Sequence, residues 1–224
     1  KLRRRFSVWR QQVSPQELFY RSMAVTFTAG LNLFNRNFNI KENIMQRIQA
    51  IESENASNEV KDLYQQVENE LGMLPNLIKT LANAPIAAKA FIQFKNLVAQ
   101  GVLPVALREK ISLRISEANG CSYCVSAHCA LSKGAGLADE EVRDSRQGQS
   151  PDRKTDLAIK FAERVMDARG SVTTDEIDGL RDVGYSDQEI TEIITVVIFT
   201  QFSNYFNNAA GTVNDFPKAA VLAA

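Results

Sequence analysis

Apolar residues recur at helical spacing along most of the chain after residue 45. In the segment 57–72 they follow one another three or four residues apart, at Val60, Leu63, Tyr64, Val67 and Leu71. The segment opens on Ser and Asn and closes on Gly, as helices commonly do. This pattern predicts a helix over 57–72.

Similar patterns, bounded by Pro, Gly or polar caps, predict further helices. A short link covers 73–84, and longer segments follow at 85–101, 104–119, 121–136, 138–147, 152–170, 173–184 and 186–208. The alternation of polar and apolar residues that marks a half-buried strand occurs nowhere in the sequence. The predicted fold class is therefore all-α.

The last predicted helix is apolar on nearly every side between Ile193 and Phe202. A helix of this kind is buried in a core or between subunits. Because such a run is too apolar for an isolated surface helix, we expect a homo-oligomer.

Charge divides the chain into two parts, although the formal net charge is zero. Residues 1–44 hold eight Lys or Arg against two acidic residues, whereas the remainder holds 18 basic against 24 acidic residues. We interpret 1–44 as a basic N-terminal extension and 45–224 as the folded domain. The extension has three interpretations: a targeting segment, an arm used in assembly, or upstream sequence before a start at Met45. The change of character at Met45 favours the last.

Composition excludes several classes of protein. No run approaches the ~18 apolar residues of a membrane span, and the acidic part lacks the clustered Lys and Arg of a nucleic-acid footprint. The three cysteines lie within nine residues, unlike the spread cysteines of a secreted disulfide framework. We expect a reducing, cytoplasmic location, or an organelle if the extension is a transit segment.

The candidate chemistry lies in CSYCVSAH, residues 121–128. The Asn119–Gly120 break puts Cys121 in the first turn of a helix, where free N–H groups and the helix dipole favour a thiolate. At about 100° per residue around the helix axis, Cys124 lies about 60° from Cys121, and His128 lies about 20° from Cys121. The two sulfurs are placed to form a disulfide, and the chain's only histidine is placed to deprotonate Cys124.

Other interpretations of this segment stay open from the residues alone. Buried structural cysteines are common, and Cys121, Cys124 and His128 amount to three zinc ligands, although a second cluster is missing. Cys129 falls on another face of the helix. Glu109 and Glu117 are both candidates for an acidic partner, and spacing does not choose between them.

The segment LREKISLRISEANGCSYCVSAHCALSKGAGL resembles the core of the alkylhydroperoxidase D-like, carboxymuconolactone decarboxylase superfamily. It is most similar to the peroxidase-related branch. The motif is a Glu, a Cys-x-x-Cys that begins twelve residues later, and a His four residues after the second Cys. The likeness covers most of residues 45–217.

The resemblance implies an all-helical bundle that assembles into trimers or hexamers, with thiol peroxidase activity and no cofactor. Carried over by position, Cys124 is the peroxidatic nucleophile, Cys121 the resolving cysteine, His128 the base and Glu109 the relay carboxylate. Glu109 is thereby preferred over Glu117.

Tyr123 departs from the hydroperoxidase D pattern, which has a relay histidine between the cysteines. A phenol with a pKa near ~10 passes a proton by hydrogen bonding but is a poor base at neutral pH. We expect Glu109 to orient His128 through Tyr123 or a water molecule.

The implied partners are a hydroperoxide substrate and a dithiol reductant of the lipoyl or thioredoxin type, with no nucleic acid or membrane. Two alternatives remain. A carboxymuconolactone decarboxylase-like enzyme needs no dithiol, and a redox sensor or binding module needs no turnover.

Overall fold

The computed structural model describes residues 46–222, so the proposed basic extension lies outside the described residues. Within that range the chain forms nine α-helices, one short 3₁₀ turn (Ser53–Asn55) and no β-strand. The helices are Asn58–Leu71 (α1), Asn76–Leu81 (α2), Pro85–Ala99 (α3), Val105–Ala118 (α4), Ser122–Gly134 (α5), Asp139–Arg146 (α6), Arg153–Asp167 (α7), Thr174–Asp182 (α8) and Asp187–Ala210 (α9). The all-α prediction is confirmed.

The helix ends follow the cap residues of the sequence. The Ser57 side chain accepts the Val60 N–H at the start of α1, and Gly72 ends that helix in the left-handed conformation. Ser186 and Glu189 form a reciprocal capping box at the start of α9. Such caps satisfy backbone groups that a helix end leaves free, so they fix where each helix begins and ends.

Two central helices, α4 and α9, run parallel and are joined by a ladder of buried polar contacts. Ser112 Oγ lies 3.0 Å from Thr200 Oγ1, and Asn204 Nδ2 donates to Ser116 Oγ at 3.1 Å. Asn119 Nδ2 donates in turn to Asn204 Oδ1 at 2.9 Å. A slip of one turn would leave these groups unpaired, at about 1–3 kcal/mol each, so the ladder fixes the register.

Apolar cores lie on both sides of this helix pair. One core joins α4 and α9 to α7 and α8, and includes Ile111, Ile115, Phe161, Leu180 and Ile193. The other packs α1, α2 and α3 against the start of α5, and includes Tyr64, Leu81, Phe91, Cys121 and Cys124. The cysteine pair is thus part of a hydrophobic core.

The apolar run in α9 is largely buried, as predicted. Ile193, Val196 and Val197 lie in the core, whereas Ile198 is 52% exposed. None of the helices between residues 46 and 222 combines the length and apolar character that crossing a membrane requires.

Candidate active site

A tight turn joins α4 to α5 and places the first cysteine. Gly120 has a positive φ of 61°, its N–H donates to Glu117 O, and the Cys121 N–H donates to Ser116 O, both at 3.0 Å. This pair of bonds is a Schellman motif, which ends a helix with a left-handed residue. Cys121 is also the N-cap of α5, because its Sγ accepts the Cys124 N–H at 3.3 Å. Cys121, which the sequence predicted in the first turn of this helix, is therefore its N-cap residue.

Cys121 and Cys124 form a disulfide. Both are almost fully buried, with 0% and 3% of their surface exposed. Cys129 is a free, half-buried thiol, and burial raises its pKa. The two cysteines that the sequence analysis singled out are therefore the bonded pair.

Glu109 and His128 face each other across the α4–α5 hairpin. Glu109 Oε2 lies 2.8 Å from His128 Nδ1, and the side chains are 15% and 14% exposed. The two residues lie almost equally far in sequence from the turn at Asn119, so antiparallel packing brings them to the same level. A carboxylate at this distance favours, in a neutral imidazole, the tautomer with the proton on Nδ1, which leaves the Nε2 lone pair free to act as a base.

Glu117, the other candidate acid, is bound elsewhere. Its carboxylate accepts from Arg146 Nε at 2.8 Å, and the Arg146 side chain is buried. Arg146 Nη1 also donates to Ala220 O at 2.9 Å. Glu117 therefore anchors α6 and the C-terminal segment, and Glu109 is the acid that meets the histidine.

Tyr123 does not lie between Glu109 and His128. Its hydroxyl accepts the Leu77 N–H from α2 at 3.2 Å, and its ring packs edge-on against Phe216 with centroids 5.6 Å apart. Burial, with a smaller contribution from Asp215, raises its pKa well above the usual range. The expected relay path through Tyr123 is replaced by a direct carboxylate–imidazole contact.

A cavity of about 320 Å³ adjoins these residues. Its walls are mostly apolar, and its polar lining includes Cys124, His128 and Glu109. The apolar lining includes Phe91, Ile92, Leu131, Phe199 and Phe216. A molecule in the cavity therefore meets the sulfur and the imidazole in a mostly apolar environment.

The sequence analysis missed one residue of the site, Asn207. Its Nδ2 donates to Cys124 Sγ at 3.3 Å across a separation of 83 residues. Asn207 is one of several polar residues near the end of α9, and spacing along the chain gives no signal that links it to the cysteines.

The zinc interpretation gains no support from the fold. Among residues 46–222, no three His, Cys, Asp or Glu side chains are grouped so that they would hold a metal ion.

Residues 85–167, from α3 to the end of α7, match the Carboxymuconolactone decarboxylase family. The matched segment contains Glu109, Cys121, Cys124 and His128. No protein with a curated description matches the sequence.

Solved structures share the fold over most of the chain. An uncharacterized peroxidase-related protein from Ralstonia eutropha JMP134, described as an alkylhydroperoxidase AhpD core, is 25% identical with a TM-score of 0.68, covering 75% of this chain and 92% of its own. A peroxidase-related protein from Silicibacter sp. TM1040 is 22% identical with a TM-score of 0.67, covering 79% and 94%. The debrominase Bmp8 is 22% identical with a TM-score of 0.64, covering 75% and 91%.

We expect Tyr123→Phe to lower the free energy of unfolding at pH 7 by about 1–3 kcal/mol, because the Leu77 N–H loses its buried acceptor. In the parent, burial keeps Tyr123 neutral while the unfolded chain ionises near pH ~10. Above that pH the unfolded state binds fewer protons, so the stability contributed by Tyr123 is lost as pH rises. The difference between parent and variant should therefore shrink between pH 7 and pH ~11.

Urea denaturation at the two pH values measures both effects. Tyr205→Phe, at an exposed position of α9, is the matched control. Equal losses for Tyr123→Phe and the control at pH 7 would contradict the assignment of the Leu77 contact.

Proposed function

We propose that this protein is a thiol-dependent peroxidase that reduces organic hydroperoxides with the Cys121–Cys124 pair. The observation that carries the proposal is the Glu109–His128 contact of 2.8 Å, in the same apolar cavity as Cys124. A redox-active sulfur, a base with a defined tautomer and a binding space thus occur together. The coarser assignment is to the cysteine-pair proteins of the alkylhydroperoxidase D-like, carboxymuconolactone decarboxylase superfamily. It is supported by the family match over residues 85–167 and by the Cys121–Cys124 disulfide.

In the proposed first step, His128 Nε2 takes the proton of the Cys124 thiol. The thiolate attacks the terminal oxygen of the hydroperoxide, so an S–O bond forms and the O–O bond breaks. Sulfur gives up two electrons to the leaving alkoxide, which takes the proton back from His128. The products are an alcohol and the sulfenic acid of Cys124.

In the second step, the Cys121 sulfur attacks the Cys124 sulfur. Hydroxide leaves and takes the Cys121 proton as water, which gives the disulfide seen in the structure. A dithiol reductant of the lipoyl or thioredoxin type then restores both thiols by exchange and is itself oxidised to a disulfide.

The cavity favours organic hydroperoxides over hydrogen peroxide. Phenyl rings of α3, α9 and the C-terminal segment line it, and burying an alkyl or aryl group there removes apolar surface from water. Hydrogen peroxide has no such group. Turnover with cumene hydroperoxide is therefore the natural assay.

Two other functions compete, and they differ in what they need from the cysteines. A decarboxylase-like enzyme keeps its activity without the dithiol. A redox sensor forms the disulfide once but does not turn over with excess reductant. The debrominase neighbour shares the fold, and at 22% identity it supports no transfer of its substrate.

We expect the parent to consume cumene hydroperoxide with dihydrolipoamide as donor, and Cys124→Ser to abolish this turnover, because the variant lacks the attacking sulfur. Cys129→Ser is the matched control and should retain activity, since Cys129 is outside the disulfide. Peroxide consumption measured over time distinguishes the three proteins.

If turnover is not observed, titration of free thiols in denaturant shows whether the Cys121–Cys124 disulfide has formed. A parent that forms the Cys121–Cys124 disulfide once, and then stops despite excess donor, contradicts the peroxidase proposal and supports the sensor. Undiminished turnover in Cys124→Ser contradicts the assignment of the nucleophile.

The two glutamates of α4, Glu109 and Glu117, provide a test variant and a matched control for the carboxylate that contacts His128. Glu109→Gln should lower peroxide turnover by about tenfold or more, because a neutral amide stabilises the imidazolium less than a carboxylate. Glu117→Gln should leave turnover near the parent value, while the free energy of unfolding falls by about 1–3 kcal/mol as the buried Arg146 loses its charged partner.

Steady-state kinetics and urea denaturation of both variants test this contrast. The opposite pattern, with turnover lost in Glu117→Gln and kept in Glu109→Gln, would remove Glu109 from the mechanism.

We also propose that the protein assembles into a homo-oligomer. Large apolar side chains stay exposed on the single chain at Ile86, Leu97, Val102 and Ile198, and a second copy would cover such surface. We expect light scattering at micromolar concentration to report a trimer or hexamer. A monomer at that concentration would exclude the proposal.

A further inference from the structure

Asn207 contacts the sulfur that the mechanism uses as nucleophile. It lies in the last turns of α9, is 4% exposed, and donates from Nδ2 to Cys124 Sγ at 3.3 Å. A hydrogen bond to a charged acceptor is stronger than one to a neutral acceptor. This N–H therefore stabilises a thiolate at Cys124 more than a thiol.

The other end of the same amide has no partner. Asn207 Oδ1 is buried without a hydrogen bond among the described residues, and Asn207 lines the cavity. Two other polar residues of the lining are occupied: Ser112 pairs with the Thr200 hydroxyl, and Ser203 Oγ donates to the Thr200 carbonyl. A buried carbonyl oxygen without a donor is costly, and a ligand O–H would satisfy it.

The fold holds this amide in place. Asn204, one turn earlier on α9, is fixed by Ser116 and Asn119. Asn208, the next residue, donates to Asn119 O at 3.0 Å. The Asn207 carbonyl on the main chain accepts from Gly211 N at 2.9 Å as α9 ends. The side chain is thus presented to Cys124 by a backbone anchored on both sides.

We propose that Asn207 is a catalytic residue of the reduction step: its N–H stabilises the Cys124 thiolate, and its carbonyl oxygen accepts the O–H of the bound hydroperoxide. The role deepens the proposed peroxidase function and rests on it. Holding the O–H in this way keeps the terminal oxygen, which the sulfur attacks, next to Sγ.

The same two contacts serve the product. The terminal oxygen moves to sulfur with its hydrogen, while the O–O bond electrons leave with the alkoxide, which is protonated by His128. The transferred O–H is now that of the sulfenic acid and stays bound to Asn207 Oδ1. Asn207 Oδ1 thus accepts a hydrogen bond from the same O–H group before and after its oxygen is transferred to sulfur.

The test uses a background in which Cys121 and Cys129 are serine, so that Cys124 is the only thiol of the chain. Two reactions of that thiol are followed: alkylation by iodoacetamide, which carries no O–H, and single-turnover oxidation by cumene hydroperoxide. The variants are Asn207→Asp, Asn207→Leu and the control Asn69→Asp, which adds the same charge at an exposed position of α1. Circular dichroism and urea denaturation show that each variant is folded.

Asn207→Asp should move the pH profile of alkylation to higher pH and slow it about tenfold at pH 7, because a carboxylate repels the thiolate. Asn69→Asp should react as the background does. Asn207→Leu should alkylate at the background rate once pH exceeds its midpoint, yet its oxidation by hydroperoxide should stay at least about tenfold slower, since the acceptor for the O–H is gone.

Each other result overturns part of the proposal. Recovery of both reactions together in Asn207→Leu at high pH refutes the acceptor role. An unchanged alkylation profile in Asn207→Asp refutes the thiolate role. A background protein that alkylates but is never oxidised refutes the proposed function and the acceptor role with it, while the Asp profile still decides the thiolate contact.

Discussion

The left-handed turn at Gly120 is the constraint on which the site depends. Its two backbone bonds end α4 and hand the chain directly to α5 with Cys121 as the cap. Each extra residue in that connection would rotate α5 by about 100° relative to its present face. Glu109 and His128 would then no longer meet, and Cys124 would leave the cavity wall. One tight turn therefore sets the positions of Glu109, His128 and Cys124 together.

The parallel pairing of α4 and α9 fixes the position of α9 relative to the α4–α5 hairpin. Its rungs are polar groups in the interior of the protein, and each is satisfied only in the observed register. Apolar contacts alone tolerate a shift more readily, since they lack direction. The ladder thus specifies where the end of α9 lies, and with it which amide touches Cys124.

The site is assembled from two kinds of segment. The hairpin that carries Glu109, the cysteines and His128 lies within the part of the chain that matches the family, residues 85–167. Much of the cavity wall comes from outside it: Leu77 on α2, Phe199 and Asn207 on α9, and Phe216 after α9. The proposed thiol chemistry thus lies in one segment, whereas the cavity wall combines that segment with others.

The sequence by itself determined the helices, their ends and the group of residues that we propose for the chemistry. Caps such as Ser57 and Ser186, and stops such as Gly72, act through bonds within a few residues, so they are legible in the order of the amino acids. The spacing of Cys121, Cys124 and His128 is likewise a property of one helix. Contacts between helices were decided only by the tertiary structure. The packing of the α4–α5 hairpin decides that Glu109, and not Glu117, contacts His128. Burial against α2 places the Tyr123 hydroxyl next to Leu77. Asn207 contacts Cys124 across a separation of 83 residues because the α4–α9 ladder fixes its position.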